Sequence, residues 1–178
     1  LIVFPDGKAT FKPQDNIIIG NVAFYGATSG ESFIRGMAGE RFCVRNSGVT
    51  AVVEGIGDHG CEYMTNGLVV ILGKTGQNFG AGMSGGTAYV YDEDGIFQSR
   101  INTEMVEALP VQRDIDKAEA KALIEDHLKL TGSPRAEKLL SNWEKTCKKL
   151  IRVIPKTKAA LEAAEEQHEA ASTPKAKA

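Results

Sequence analysis

The chain has 178 residues, 42% of them apolar, enough for one core and too few for two large domains. Its 21 basic and 23 acidic side chains leave a net charge of −2, which excludes a single-signed field for steering nucleic acid or an anionic membrane. The longest apolar runs, such as Leu68 to Leu72, are far too short to cross a bilayer.

The start, Leu1-Ile2-Val3-Phe4-Pro5, lacks the basic flank and cleavage signal of a secretory peptide. With no initiator methionine, the sequence is expected to begin inside a longer gene product. Residues 1–19 alternate strand-like pieces, Leu1 to Phe4 and Asn16 to Ile19, with a turn at Asp6-Gly7 and prolines at Pro5 and Pro13. They read as the open edge of a repeating fold.

Seventeen of the nineteen glycines then fall between Gly20 and Gly95. Gly30, Gly48, Gly67 and Gly86 are spaced by 18, 19 and 19 residues, and two further series keep the same step: Gly36, Gly55, Gly73 and Gly20, Gly39, Gly57, Gly76. Three tracks with one period of about nineteen residues define a repeating unit, read first as a solenoid. Each unit holds a short strand-like piece (Phe42 to Arg45, Cys61 to Met64), a glycine, and a stronger β run. The runs are Val49 to Glu54, Leu68 to Leu72 and Thr87 to Tyr91, rich in β-branched and aromatic residues. Strands recurring at constant spacing without helices between them predict the stacked rungs of a parallel β-helix, an all-β solenoid, over residues 1–100.

After Arg100 glycine nearly vanishes and Ala, Glu, Lys and Leu take over. Asp114 or Asp116 is expected to cap a helix through Leu130, ended by Gly132. Ser133-Pro134 opens a second helix, serine at the cap and proline in the first turn. Leu139, Leu140, Trp143, Cys147, Leu150 and Ile151 are expected on one stripe of it, buried against something. Residues 101–155 are thus read as a helical cap over the last rung or a docking segment. Residues 156–178 are read as a tail, weakly helical over Thr157 to Ala171 and disordered from Ser172.

Two motifs invite a nucleotide reading. Gly55-Ile-Gly57-Asp-His-Gly60 matches Gly-x-Gly-x-x-Gly, but Cys61 to Asn66 leaves no room for the helix that would hold a pyrophosphate. No acid occurs between Glu62 and Asp92 to bind a ribose, and the pattern returns at Gly80-Ala-Gly82-Met-Ser-Gly85, as a glycine lattice dictates. Gly67 to Thr75 resembles a phosphate loop with the wrong spacing, its interior being the apolar run Leu68 to Leu72.

Asp58, His59, Cys61 and Glu62 form the densest polar cluster of the repeats. A catalytic reading pairs His59 with Asp58 or Glu62 as base and Cys61 as nucleophile. Sequence neighbours seldom face one another on a strand. The reading favoured here puts Asp58 and His59 at a corner bonding backbone amides, with Glu62 on an exposed face. Cys43 and Cys61, one repeat apart, are expected to stack as buried reduced thiols, and three cysteines without a Cys-x-x-Cys pair fit no zinc site. His127 and His168 are read as solvated helix positions. Arg35, Arg41 and Arg45, with Glu31 and Glu40, are read as cross-rung ladders or as contacts to another domain.

Four strings now point to a family: Tyr25-Gly-Ala-Thr-Ser-Gly30; Gly39-Glu-Arg-Phe-Cys-Val-Arg-Asn-Ser-Gly48; Val53 to Met64; and Leu72-Gly-Lys-Thr-Gly76 through Gly82-Met-Ser-Gly-Gly86. Over roughly residues 1 to 155 the chain resembles the C-terminal domain of the glutamate synthase large subunit. That resemblance implies a right-handed parallel β-helix, to which the composition after Arg100 adds a C-terminal α-helical extension. It also implies a scaffold role in an enzyme that makes two glutamates from glutamine and 2-oxoglutarate. The partners implied are the amidotransferase and FMN-binding synthase domains and an NAD(P)H-oxidising small subunit. FMN and an iron–sulfur cluster are expected in that parent enzyme and none in this chain, so no catalytic, cofactor-binding or metal residue is assigned. The location implied is the cytoplasm, or a plastid in a photosynthetic eukaryote. The alternative is a free-standing assembly subunit of another redox complex, similar to a formylmethanofuran dehydrogenase subunit. A polysaccharide-cleaving β-helix enzyme is disfavoured because no column of acids recurs at the repeat.

Overall fold

A computed structural model describes residues 1–172, with side chains to His168. The remainder of the tail, including most of Ser172 to Ala178, lies outside the described residues. The sheet begins with β1 (Ile2–Val3) and β2 (Ile17–Ile19), both parallel to β3 (Glu31–Ala38). It continues through β4 (Ser47–Gly55), β5 (Asn66–Ile71) and β6 (Thr87–Tyr91), each parallel to the one before. The result is a β-solenoid of about four turns with helices at its C-terminal end.

Register converts the period into columns. Ile34, Val53, Ile71 and Val90 are successive partners, as are Phe33, Val52, Val70 and Tyr89. The first column faces the interior of the coil together with Ala51, Val69 and Ala88. The second faces outward, yet it is buried too, beneath the helices. A sheet covered on both faces needs apolar residues at odd and even positions alike, which is why β4 and β5 read as continuous hydrophobic runs. β3 is less visible in sequence because Arg35 and Gly36 interrupt it.

The opposite wall of each rung is not a strand. Residues 42–45 and 61–63, within pieces that are strand-like in sequence, are turns in which every second residue is left-handed. Val22, Phe24 and Gly26 have φ of 65°, 61° and 64°, and Arg41, Cys43 and Arg45 have 60°, 57° and 55°. His59, Cys61 and Tyr63 follow at 65°, 57° and 52°, then Asn78, Gly80 and Gly82 at 58°, 72° and 67°. Propensity reads β-rich composition but not this backbone, which exists only because neighbouring rungs bond to it. Arg41 donates to the Asp58 carbonyl at 2.8 Å, Cys43 to Ala23 at 2.9 Å and Arg45 to Glu62 at 2.8 Å. Each left-handed residue costs about 1 kcal/mol, and each backbone bond returns a similar amount. Apolar burial decides the sign, about 2 kcal/mol for a side chain such as Phe42 or Phe79.

Beyond the coil come β7 (Val106–Pro110), α1 (Asp114–Thr131), α2 (Pro134–Ser141), α3 (Trp143–Cys147), β8 (Leu150–Pro155) and α4 (Lys156–Ser172). Gly132 ends α1 at φ 63°, its amide bonded to Leu128 at 2.8 Å, and Ser133 caps α2 by accepting from the Ala136 amide at 3.0 Å. Asp114 and Asp116 lie inside the first turn of α1 rather than at its cap, which is Arg113. The expected long stripe divides: α2 stops at Ser141, and Leu150 and Ile151 belong to β8.

β8 pairs antiparallel with β6 and β7 pairs antiparallel with β8. A strand therefore covers the last rung where a helical cap was expected. Only another strand satisfies the unpaired amides and carbonyls of β6, whereas helices satisfy their own. Helices α1 and α2 instead cover the outer sheet face, placing Ala120, Ile124, Ala136 and Leu139 on Phe33, Val52, Val70 and Tyr89.

Rung spacing leaves no room for a Cβ at Gly85, where it would overlap the Thr65 carbonyl oxygen. Gly85→Val is expected to lower unfolding stability in denaturant by more than about 3 kcal/mol. Gly7→Val, with nothing within 4 Å of its Cβ position, should change it by less than about 0.5 kcal/mol.

Candidate functional site

The polar cluster named from sequence sits on the turn wall. His59 Nδ1 lies 2.8 Å from Glu62 Oε1. Their meeting corrects the strand-based expectation that neighbours would not touch, because alternating left-handed residues fold the chain so that i and i+3 converge. Glu62 is half-buried rather than exposed, and the same Oε1 accepts from Asn78 Nδ2 at 2.8 Å. Asn102 Nδ2 reaches Asn78 Oδ1 at 3.1 Å, extending the ladder to the last coil. Asp58 holds the next rung by accepting the Gln77 amide at 2.7 Å, the backbone-bonding corner role that sequence suggested. Asn21 does the same for the Glu40 amide at 2.9 Å.

Cys61 points the other way, fully buried in the coil interior beside Cys43. Both are free thiols. Burial pushes the Cys61 thiol far up, and it raises Cys43 as well, with Cys61 as a second contributor. A buried, protonated sulfur facing apolar neighbours is no partner for His59. The catalytic grouping considered from sequence is therefore split by the wall of the coil.

The glycines of the nucleotide-like motif have a packing role. A Cβ at Gly57 would meet the Glu40 backbone at 3.0 Å, and one at Gly60 would overlap the Ile56 side chain. No helix follows them; residues 58–63 form the turn wall. Among the described residues no group of three or more His, Cys, Asp or Glu side chains could hold a metal ion.

Two buried polar clusters join coil and helices, neither of which sequence reasoning found. In the first, Glu54 of β4 accepts from the Ser133 hydroxyl, and His127 Nε2 of α1 lies 3.5 Å from Glu54 Oε1. His127 is fully buried and stacks on Phe33, with ring centroids 6.3 Å apart, against the expectation of a solvated histidine. In the second, the Tyr89 hydroxyl donates to Glu119 at 2.7 Å, and Arg152 of β8 makes a bidentate pair with Glu162 of α4, both bonds 2.7 Å. Asp116 and Arg113 complete it, at 3.4 Å from Arg152 and 2.8 Å from Glu162 respectively. The Arg152 hydrogen bonds hold the Glu162 carboxyl below its usual value, and burial raises the Tyr89 hydroxyl. Asn78 was legible, lying one period after His59. The pairs Glu54–His127 and Arg152–Glu162 break the period, so nothing in the sequence marks them.

Comparison with known proteins places the chain in a family. The family model described as the GXGXG motif matches residues 1–156. The chain belongs to the GXGXG family. It is 55% identical over 163 residues to "Glutamate synthase [NADH]" of Schizosaccharomyces pombe, covering 91% of this chain and 8% of that protein. It is 56% identical over 161 residues to "Glutamate synthase [NADPH] large chain" of Bacillus subtilis, covering 89% and 10%. To the chloroplastic ferredoxin-dependent glutamate synthase of Spinacia oleracea it is 48% identical over 155 residues, covering 87% and 10%. This GXGXG chain thus spans at most a tenth of the length of these relatives. Among its described residues no helix is long and apolar enough to cross a membrane.

Two measurements test this geometry. At about pH 8, Cys43 and Cys61, both fully buried, should react with an aromatic disulfide reagent only on the timescale of unfolding in a Cys147→Ser chain; a fast phase there would contradict the burial. Because the Glu162 carboxyl is lower in the folded state, its contribution is complete above the ordinary value of 4.5 and lost as pH falls below it. Protection of the α4 amides, their exchange rate relative to the intrinsic rate at the same pH, should therefore fall in that acid range, and Glu162→Gln should remove the acid dependence.

Proposed function

We propose that this chain is a non-catalytic scaffold segment of a glutamate synthase, the enzyme class that converts glutamine and 2-oxoglutarate into two glutamates. The observation that carries the reading is identity of 48–56% over about nine-tenths of the chain to named glutamate synthases that use NADH, NADPH or ferredoxin. Shared sequence across three electron donors supports a role common to all of them, separate from donor recognition.

Hydrogen bonding between rungs supports the structural half of the reading. His59, Glu62, Asn78 and Asn102 bond to one another across rungs, and Asp58 and Asn21 hold backbone amides. Their polar groups stiffen the coil. A stack of rungs about 4.8 Å apart, bonded at every step, resists bending and can hold two attached domains at a fixed separation. That suits an enzyme in which ammonia released by an amidotransferase domain must reach an FMN-binding synthase domain without escaping. FMN, the iron–sulfur cluster and the NAD(P)H-oxidising subunit belong, on this reading, to the rest of the assembly. The setting would be the cytoplasm, or a plastid in a photosynthetic host.

Purified by itself, the 178-residue polypeptide should carry no flavin absorbance and catalyse no glutamine-dependent oxidation of NADPH. One equivalent of tightly bound FMN on the isolated chain would overturn the scaffold reading.

A further inference from the structure

The turn wall carries a groove of about 290 Å³ lined by Tyr25, Arg41, Val44, Arg45, Glu62 and Tyr63. These residues come from three successive rungs, set in register by the Gly26-to-Val44, Arg45-to-Glu62 and Tyr63-to-Ala81 backbone bonds. Val44, 5% exposed, is its apolar floor, and Tyr25 and Tyr63 stand at 51% and 57% exposure. We infer that this groove docks an acidic, extended segment of the remaining synthase polypeptide, with its carboxylates on Arg41 and Arg45; the inference rests on the function proposed above.

Charge is the first argument. The arginine ion pairs among the described residues belong to Arg100, Arg113, Arg135 and Arg152. Arg41 and Arg45 are exposed and have no carboxylate partner among them. Glu62, the one acid of the groove, already accepts from Asn78 and contacts His59 through Oε1. Two arginines lining one groove with Val44 and two exposed tyrosines suit a partner bringing carboxylates and an apolar side chain. Bidentate arginine–carboxylate bonds give such a contact its geometry.

Backbone cost is the second. The column holding Arg45 and Tyr63 continues to Gly26 and Gly82, which take the left-handed conformation freely. At Arg45 and Tyr63 the same conformation is strained, held as at Cys43 and Cys61 by the inter-rung bonds, so the two middle rungs carry large side chains in this column where the flanking rungs carry none. Tyr63 is also positioned: a Cβ at Gly82 would lie 2.5 Å from its ring, so the ring rests on the bare backbone of the next rung. Preorganised tyrosine and arginine are the residues most enriched where interface energy concentrates.

Hydroxyl-radical footprinting of the assembled synthase carrying this chain tests the inference. Tyr25 and Tyr63 should be protected in the wild-type assembly, and Arg41→Glu with Arg45→Glu should raise their labelling about ten-fold. Arg41→Lys with Arg45→Lys should retain part of the protection. Equal labelling of both tyrosines in wild type and charge-reversed enzyme would overturn it. So would protection that grows with protein concentration, the mark of a second copy of the chain, or protection that requires added inorganic phosphate, the mark of a small-anion site. Loss of docking with flavin and glutamine-dependent activity intact would leave the scaffold reading standing. Failure of this chain to assemble with flavin-bearing polypeptide would sink both.

Discussion

Backbone pairing between rungs, at a spacing that admits no side chain at the crossing points, is the constraint on which the molecule rests. It explains the glycine lattice more economically than any ligand does. At Gly48, Gly73, Gly76 and Gly85 a Cβ would overlap a carbonyl or side-chain oxygen of the preceding rung. At Gly67 and Gly86 a positive φ of 95° and 80° adds a second requirement. These positions recur at one step because the coil does.

The same constraint dictates the composition of both walls. On the sheet wall, residues alternate between the coil interior and the helical layer, and both are dry, so the alternation of polar and apolar that marks a half-exposed strand is absent. On the turn wall, inward positions stack Ala23, Phe42, Gly60 and Phe79. Large and small side chains alternate along that column so that rings fill space that glycine and alanine vacate. Phe24 meets Phe42 edge to face at 5.6 Å, and Phe79 meets Phe97 at 5.4 Å. The strained backbone persists because this packing and the inter-rung bonds hold it on both sides.

Polar residues follow from the geometry as well. Of those that suggested catalysis, Asp58 and Glu62 lie where one rung's turn overhangs the next, and their bonds to Gln77 and Asn78 run along the stack axis. The groups at the helical layer, Glu54 with Ser133 and Tyr89 with Glu119, run across it and fix the helices to the coil, while Arg152 with Glu162 ties α4 to β8. A segment bonded along and across its axis in this way is suited to transmit position rather than to change shape. That is the property the scaffold role proposed above requires.

Reading the residues in order recovers the repeat, its length, the coil, the strand wall, the stacking of Cys43 and Cys61, and the caps at Gly132 and Ser133. All of these are local or strictly periodic, so a residue's partner lies at a fixed offset and can be counted. Tertiary structure alone decided the left-handed turn wall, since β-rich residues such as Phe42 and Val44 adopt that backbone only between bonded neighbours. It decided that Leu150–Pro155 is a strand, because the unpaired edge of β6 is what recruits it. It also decided that His127 is buried against Glu54, 73 residues away by their numbers. Contacts of that kind obey no period, and only the folded chain brings their partners together.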